Sequence, residues 1–546
     1  MKTVKTDILV VGGGIAGCFA AIRASELGLS VVLLEKATVR RGGSVGPGMD
    51  HVFIGIHPET LTLQDAIEHA QNARKELMDP NVILTVYKEA YKRVLDLERF
   101  GVKVREDDGS YFIWKIPERK FYLVSYRGVD TKVKLAEAVR KTNATIMERT
   151  MGVELLTRDG TVIGAVAYDV RDGNLTTILS KATLLCTGEA GRQYIEPDGL
   201  FVTYHPTTNT GDAETMAYRA GAKLTNMEYI YMDYTMVRAG GGIPGIKPFE
   251  KMGHLVNRFG ERVLKKEDSA KRGWVMVKEI AEGRGPLYWD FRHLPDDVLK
   301  MYEREMDHEY PIAKEWLKQR GLDLRKDRIP LQLVPAAIMG GPIVDERFRT
   351  SLKGLYVAGA TTPYLMGLTE AAVSGHIAAE DAARYAADAG EPVFEKEKVD
   401  PIAADILAPT RRKKGMSPIQ VEAAVRSIST DYVGYFKTEG LMQEGLKSLA
   451  ELREKYLPSL VAGNPHELMR CLEVRNIFDM VEMHIRASLM RKETRLRRVG
   501  IMPHYRADYP QTDPAWEKLI VIARENGQMK LTTQDVPRLK EELTCP

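Results

Sequence analysis

The chain has 546 residues, enough for two or three domains with sizeable cores. Hydrophobic residues at 44%, charged residues at 28% and a net charge of +3 describe an ordinary globular protein without the basic excess of a broad nucleic-acid or membrane surface. No apolar run is long enough to span a bilayer and no secretory leader precedes the first strand, so a cytoplasmic protein is expected.

The chain opens on "DILVVGGGIAGCFAAIRASELGLSVVLLEK", residues 7 to 36. Ile8 to Val11 is a short apolar run of the length and character of a buried parallel strand. Gly12, Gly14 and Gly17 then make GxGxxG at a strand-to-helix turn. The first glycine permits the turn, the second lets backbone approach a pyrophosphate, and the third lets the helix pack on the strand. A helix follows to about Leu27, with its N-terminal amides toward the phosphates. A second buried strand, Val31 to Leu34, ends at Glu35, where a ribose hydroxyl is held in such units. The complete strand–glycine–helix–strand–acid unit is much more specific than the glycines alone.

A glycine-rich loop, "RRGGSVGPGMDHV" (40 to 52), leads to helical patterns from about Leu63 to Arg99. Residues 145 to 170 read as a β-meander with a turn at Arg158-Asp159-Gly160. "ATLLCTGEAGRQY" (182 to 194) is another buried strand ending in glycines. Mixed helix and loop from about Tyr229 to Asp327 suggest an inserted domain. "GPIVDERFRTSLKGLYVAGATT" (341 to 362) returns to strands, and "GLTEAAVSGHIAAEDAARYAADAG" (367 to 390) is a helix with a close-packing alanine face. Residues 391 to 400 read as a charged linker, 401 to 486 as mostly helical, and the tail from Met490 as basic and then extended. Cys18, Cys186, Cys471 and Cys545 are scattered, so neither a disulfide framework nor a metal or iron–sulfur site built by this chain alone is expected. Cys18 falls inside the first helix as a small core residue.

A second glycine-containing strand end, "GLYVAGATT", again followed by a helix, comes too late to serve a simple dinucleotide dehydrogenase. It suits a flavin, whose isoalloxazine lies far from its adenine and needs its own wall. Together with "LLCTGEAG", "TNTGDAETMAYRAGA" and "GLYVAGATTPYLMGLTEAAVSG", the opening motif resembles the flavoprotein subunits of the fumarate reductase and succinate dehydrogenase superfamily over nearly the whole chain. The resemblance implies an α/β fold: a Rossmann-like FAD-binding domain (1–230 and 330–392), an inserted α+β capping domain (231–329) and a C-terminal helical domain with an extended tail (393–546).

It also implies site residues. Gly12, Gly14, Ala16 and Gly17 would surround the pyrophosphate, with Glu35 and Lys36 at the adenosine ribose. Gly43, Ser44 and Gly46 would lie along the flavin, Gly152, Thr187 and Gly188 near the dinucleotide, and Asp212 on the isoalloxazine side. Gly359 and Ala360, with Glu370 and Ala371 at the start of the 369 to 385 helix, would face the flavin pyrimidine. Respiratory members carry a flavin-linking histidine where Gly43 or Ser44 stands here, and His51 has the wrong spacing, so the implied FAD is non-covalent. The family's acid on the ribityl chain is replaced by Gly359-Ala360.

The implied substrate chemistry is altered. "MDYT" (232 to 235) and "AAIMGG" (336 to 341) each lack a family histidine, and "TPYLMGL" (362 to 368) lacks the carboxylate-binding arginine, which argues against a C4-dicarboxylate. Arg272 falls at the family's proton-delivering arginine; its alternative is a surface salt bridge in a charge-rich helix. His205 could reach a substrate or shape its loop, and Tyr234 and Trp274 could wall the flavin or fill the core. The loop 42–55, the helix entry and the tail "RKETRLRRVGIMPHYRADYPQTDPAW" look like those of the alpha chains of adenylylsulfate reductase and its relatives. That branch implies a small anionic substrate, a ferredoxin-like iron–sulfur partner and an oligomer, with "LRRVGIMPHYRADYP" as either a docking strip or a solvated segment. The alternatives are a stand-alone fumarate- or enoate-type reductase and an electron-transfer flavoprotein that lacks a substrate site.

Overall fold

The structure is a computed structural model that describes residues 1–46, 51–54, 61–115, 122–126, 128–195, 206–236, 253–264, 272–308, 311–393, 396–497 and 502–545. Its centre is a seven-stranded sheet. Thr145–Glu148, Val31–Glu35, Lys2–Val11 and Leu175–Leu185 lie side by side and parallel. Thr161–Asp169 and Thr150–Arg158 extend the sheet antiparallel. On its other edge Leu175–Leu185 serves two neighbours: its first half pairs with Thr161–Asp169, and its end pairs in parallel with Leu355–Val357. Val31–Glu35 and Ile8–Val11 are buried throughout, as strands covered on both faces must be, so they show unbroken apolar runs instead of alternation.

Two helices cross the sheet in close contact, Ile15–Glu26 and Leu368–Asp388. Small residues permit the approach: a Cβ on Gly375 would lie 2.1 Å from the Ala16 carbonyl oxygen, and one on Gly17 1.8 Å from that of Gly12. Ile230–Met236, Ile329–Ile338, Leu287–Asp290 and His254–Val256 form a separate antiparallel sheet around Trp289, and this sheet continues to Ile338. In the C-terminal part, Pro418–Val433 and Glu439–Tyr456 pack around Pro465–Met490, which is buried on nearly every side and therefore shows almost no amphipathic period.

The structure differs from several local expectations. Thr145–Glu148 leaves the anticipated meander, because Arg149 at φ 59° breaks the strand, and pairs with Val31–Glu35 instead. The helical stretch after residue 63 is two helices, Leu63–Ala73 and Pro80–Arg99, divided at left-handed Leu77 and restarted by the Asp79 side chain capping Asn81 ahead of Pro80. The charged linker enters the helix Lys396–Ile406. The tail folds into hairpins, of which Lys518–Glu525 pairs with Leu224–Thr225 and Gln528–Asp535.

Helix Asp212–Ala220 carries one anomaly. Glu214 is fully buried, and among the described residues its carboxylate accepts no hydrogen bond from another side chain. Burial pushes its pKa well above the ordinary value, with Asp212 adding to the rise. A raised carboxyl pKa means no ionisation penalty at pH below the unfolded value and a growing one as pH climbs toward the folded value. Glu214→Gln is therefore expected to raise Tm, by more at about pH 8 than at about pH 5; a pH-independent or negative shift in a calorimetric series would contradict this.

Candidate functional site

One cavity runs from the end of the first two strands to the start of the Leu368–Asp388 helix. At its base the three motif glycines have three different duties. Gly12 sits at φ 104°, donates its N–H to the Leu34 carbonyl at 2.8 Å, and has no room for a Cβ, which would lie 2.4 Å from the Cys186 oxygen. Gly17 is closed off by the Gly12 carbonyl. Gly14 is different: a Cβ there would meet only Gly43 Cα at an ordinary 3.7 Å, so nothing in the described protein requires a glycine. Gly14 caps Ile15–Glu26, whose first turn carries no acid. Its first-turn amides have no partner within the helix, and together with the helix dipole they favour an anion there. That is the form of a diphosphate cradle.

At one end of the cavity Glu35 is almost fully buried and accepts N–H bonds from Gly13 and Ala37, each at 2.8 Å. Lys36 Nζ follows, 2.6 Å from Asp212 Oδ2, 3.1 Å from Glu473 Oε1 and 2.7 Å from the Thr208 carbonyl. Burial opposes its charge, but the two carboxylates overcome that and lift its pKa. The chain of charges continues through Arg192, which binds Glu473 at 2.8 Å and Glu422 through two contacts of 2.8 Å. Asp212 therefore sits beside Lys36, at the end that the resemblance assigns to the adenosine and not to the isoalloxazine, because the Lys36 ammonium, Thr210 and Asn476 hold it there.

At the other end Gly359, at φ 74°, donates to Ser374 Oγ at 2.8 Å, and Gly188 donates to Thr361 Oγ1 at 2.9 Å. Met366, Gly367, Leu368 and Ala371 complete this wall, with Gly367 capping the long helix at φ 129°. Of the expected cofactor residues, Gly12, Gly14, Ala16, Glu35, Lys36, Gly43, Ser44, Gly152, Thr187, Gly188, Asp212, Gly359, Ala360 and Ala371 line the cavity. Gly17, Gly46 and Glu370 do not. Gly17 serves helix packing, Gly46 makes a turn against the Arg41 carbonyl, and Glu370 lies against Gly367. The cavity adds Glu189, which the motif reading does not include, although the acid inside "TGEAG" is its signal; it is buried on the wall beside Ser44.

The catalytic candidates are placed less fully. His205 and the side chains of Tyr234 and Arg272 lie outside the described part; Tyr234 is in strand Ile230–Met236, and Arg272 opens helix Arg272–Ala281. Trp274 packs against Phe436 and Tyr505 at centroid distances of 5.0 and 4.9 Å, within the core. The basic tail is not a docking strip at Arg495, Arg497 or Arg506. These side chains are buried and spend their donors on Glu493, on the Glu76 and Pro363 carbonyls, and on Asp508 with the Ser488 carbonyl. Among the described residues no group of side chains could hold a metal ion, and no helix is long and apolar enough to cross a membrane.

Residues 7–374 match the FAD binding domain family, and residues 422–542 match the fumarate reductase flavoprotein C-terminal family. The chain belongs to the FAD-dependent fumarate reductase and succinate dehydrogenase flavoproteins. It is 28% identical to an uncharacterized FAD-dependent oxidoreductase of Methanocaldococcus jannaschii, over 95% of this chain and 96% of that protein. It is 26% identical to one of the subunits of the fumarate reductase (CoM/CoB) of Methanothermobacter marburgensis, over 95% and 97%. Adenylylsulfate reductase from Archaeoglobus fulgidus shares the flavoprotein fold with a TM-score of 0.87 at 23% identity, over 99% and 96%.

FAD fits this cavity. An acid stands at one end, helix amides and an open Gly14 follow, and a second helix N-terminus closes the far end. The separate duties of the glycines give a direct test. Gly14→Val is expected to yield folded protein with little flavin, whereas Gly17→Val, forced against the Gly12 carbonyl, should lose at least 1–3 kcal/mol, roughly, of stability. Flavin absorbance per chain and thermal melts separate the two outcomes; full flavin content in Gly14→Val would refute the cradle.

Proposed function

We propose that this flavoprotein is the catalytic FAD subunit of an oxidoreductase. It exchanges electrons between a small anionic substrate and an iron–sulfur partner protein, in the manner of adenylylsulfate reductase. The observation that carries the reading is the junction of the cavity with the capping sheet: Ala190, next to the cavity residue Glu189, accepts the Ile338 N–H at 3.0 Å. Ile338 belongs to "AAIMGG", so the capping stretch that lacks the family histidine abuts the cavity wall. With "MDYT" and "TPYLMGL" also altered, the polar anchors for a C4-dicarboxylate are replaced, which favours a different anion. The name of the methanogen relative supports a second reading, a fumarate-type reductase.

When bound, FAD supplies reversible two-electron chemistry. The protein supplies the rest. The Leu368–Asp388 helix presents its N-terminal amides at the far end of the cavity, where they favour negative charge. Arg272, at the head of its helix, is assigned to orient the anion or relay a proton; its fixed charge and planar fork suit the first role especially. Gly43 or Ser44, neither able to link a flavin as the histidine does, stands at the family's flavin-linking position, so the cofactor is held by contacts alone.

An anaerobic screen of oxidised and reduced protein against adenylylsulfate, AMP plus sulfite, fumarate and enoyl-CoA thioesters tests the substrate class. Flavin bleaching or reoxidation with the sulfur compounds is expected; a response to fumarate alone would select the second reading. Acid precipitation should leave FAD in the supernatant, and flavin in the pellet would contradict the non-covalent assignment. With the substrate in hand, Arg272→Ala should lower kcat/KM roughly a thousandfold at unchanged FAD content, with poor rescue by Arg272→Lys. Wild-type turnover in the alanine variant would make the arginine structural.

A further inference from the structure

Glu189 is an acid inside the flavin cavity that the proposed reaction does not use. It is 4% exposed, lines the cavity, and accepts a long hydrogen bond of 3.4 Å from Ser44. Its two neighbours fix where on the wall it stands. Gly188 is joined to Thr361, next to Ala360, by N–H and carbonyl contacts of 2.9 and 3.3 Å. Ala190 is bridged to Ile338 at the base of the capping sheet. Glu189 thus stands beside Ser44, on the part of the wall that the resemblance assigns to the flavin.

The other titratable groups on this wall are committed elsewhere. Glu35 is held by two backbone N–H groups, and Lys36 and Asp212 are paired with each other. The Cys186 thiol is held neutral by burial, which raises its pKa. Arg192, three residues on, turns its guanidinium to Glu422 and Glu473.

We propose that Glu189 sets the reduction potential of the bound flavin and takes up a proton when the flavin is reduced. Two electrons and one proton produce a flavin carrying one negative charge. A carboxylate nearby in a medium of low dielectric opposes that charge. Taking a second proton onto the Glu189 carboxylate removes the repulsion, so reduction consumes two electrons and two protons, and reoxidation returns both. The electrons come from the substrate or the partner in the cell and from dithionite, oxidised to sulfite, in the test. The inference rests on FAD in this cavity and not on the identity of the substrate.

The test is an anaerobic potentiometric titration of holoprotein against redox dyes between about pH 6 and 9, for wild type, Glu189→Gln and Glu189→Asp. FAD content is measured first, so loss of the cofactor is distinguished from loss of tuning. Glu189→Gln should favour reduction at the alkaline end by at least tenfold, about 30 mV for a two-electron couple. It should also take up one proton fewer per two electrons over the range where wild type takes up two, and Glu189→Asp should stay near wild type. Identical potentials and pH slopes in wild type and Glu189→Gln would overturn the proposal. Should the glutamine variant lose its flavin, wild type alone decides: dithionite reduction in lightly buffered solution with an indicator dye, corrected for the protons released as dithionite and water give sulfite, must show two protons taken up by the protein per flavin, and an uptake of one throughout would also overturn it.

Discussion

The structure depends on one backbone-to-backbone contact, the approach of the first helix to the turn that precedes it. The Gly12 carbonyl fills the place where a side chain on Gly17 would start, and the Ala16 carbonyl does the same for Gly375 on the long returning helix. Both helices are thereby set against the sheet at a separation that only hydrogen in place of a side chain permits. Their N-termini lie at two stations of a single cavity, one at Gly14 and one at Gly367. Two helix N-termini near one elongated anionic ligand require this arrangement, because each favours negative charge only within about its first turn. The packing is thus what aims the electrostatics.

A second constraint ties the cradle to the C-terminal helices. Lys36, Asp212, Glu473, Arg192 and Glu422 form a continuous run of buried charges from the adenosine end into Pro465–Met490 and Pro418–Val433. Such a run adds little net stability over an apolar filling, but deleting one member leaves another charge buried without its partner, at a cost of roughly 3–5 kcal/mol. The run therefore favours the seating of the helices on the cradle that keeps every member paired. The same logic explains Arg491 and Arg497, which hold Glu228 and the Glu76 and Pro363 carbonyls across segments far apart in sequence.

What the sequence makes legible follows from range. The motif glycines, the acid after the second strand and the late glycine strand end are local chemistry, and the cavity gathers nearly all of them. Motif order alone puts Asp212 at the wrong end, because its place depends on Lys36 and Asn476, a pairing across 264 positions in the second case. The tail reads as basic and extended because pattern alone does not tell a solvated arginine from one buried on the Pro363 carbonyl. Glu189 is visible as an acid between glycines, but only the fold shows that it faces the cavity and not solvent. Strand Thr145–Glu148 illustrates the same limit, since its partner Val31–Glu35 lies far earlier in the chain.

On the reading proposed above, a dinucleotide lies with its adenosine at Glu35 and Lys36 and its diphosphate on the first helix. Titration of the apoprotein with FAD and with FMN, followed by flavin fluorescence, tests it most directly, because FMN keeps the ring and one phosphate but lacks the adenosine. FAD is expected to bind tightly, with FMN weaker by at least about a hundredfold, or some 3 kcal/mol. Equal affinity for the two would mean that the Glu35 end of the cavity contributes nothing, and would contradict the account.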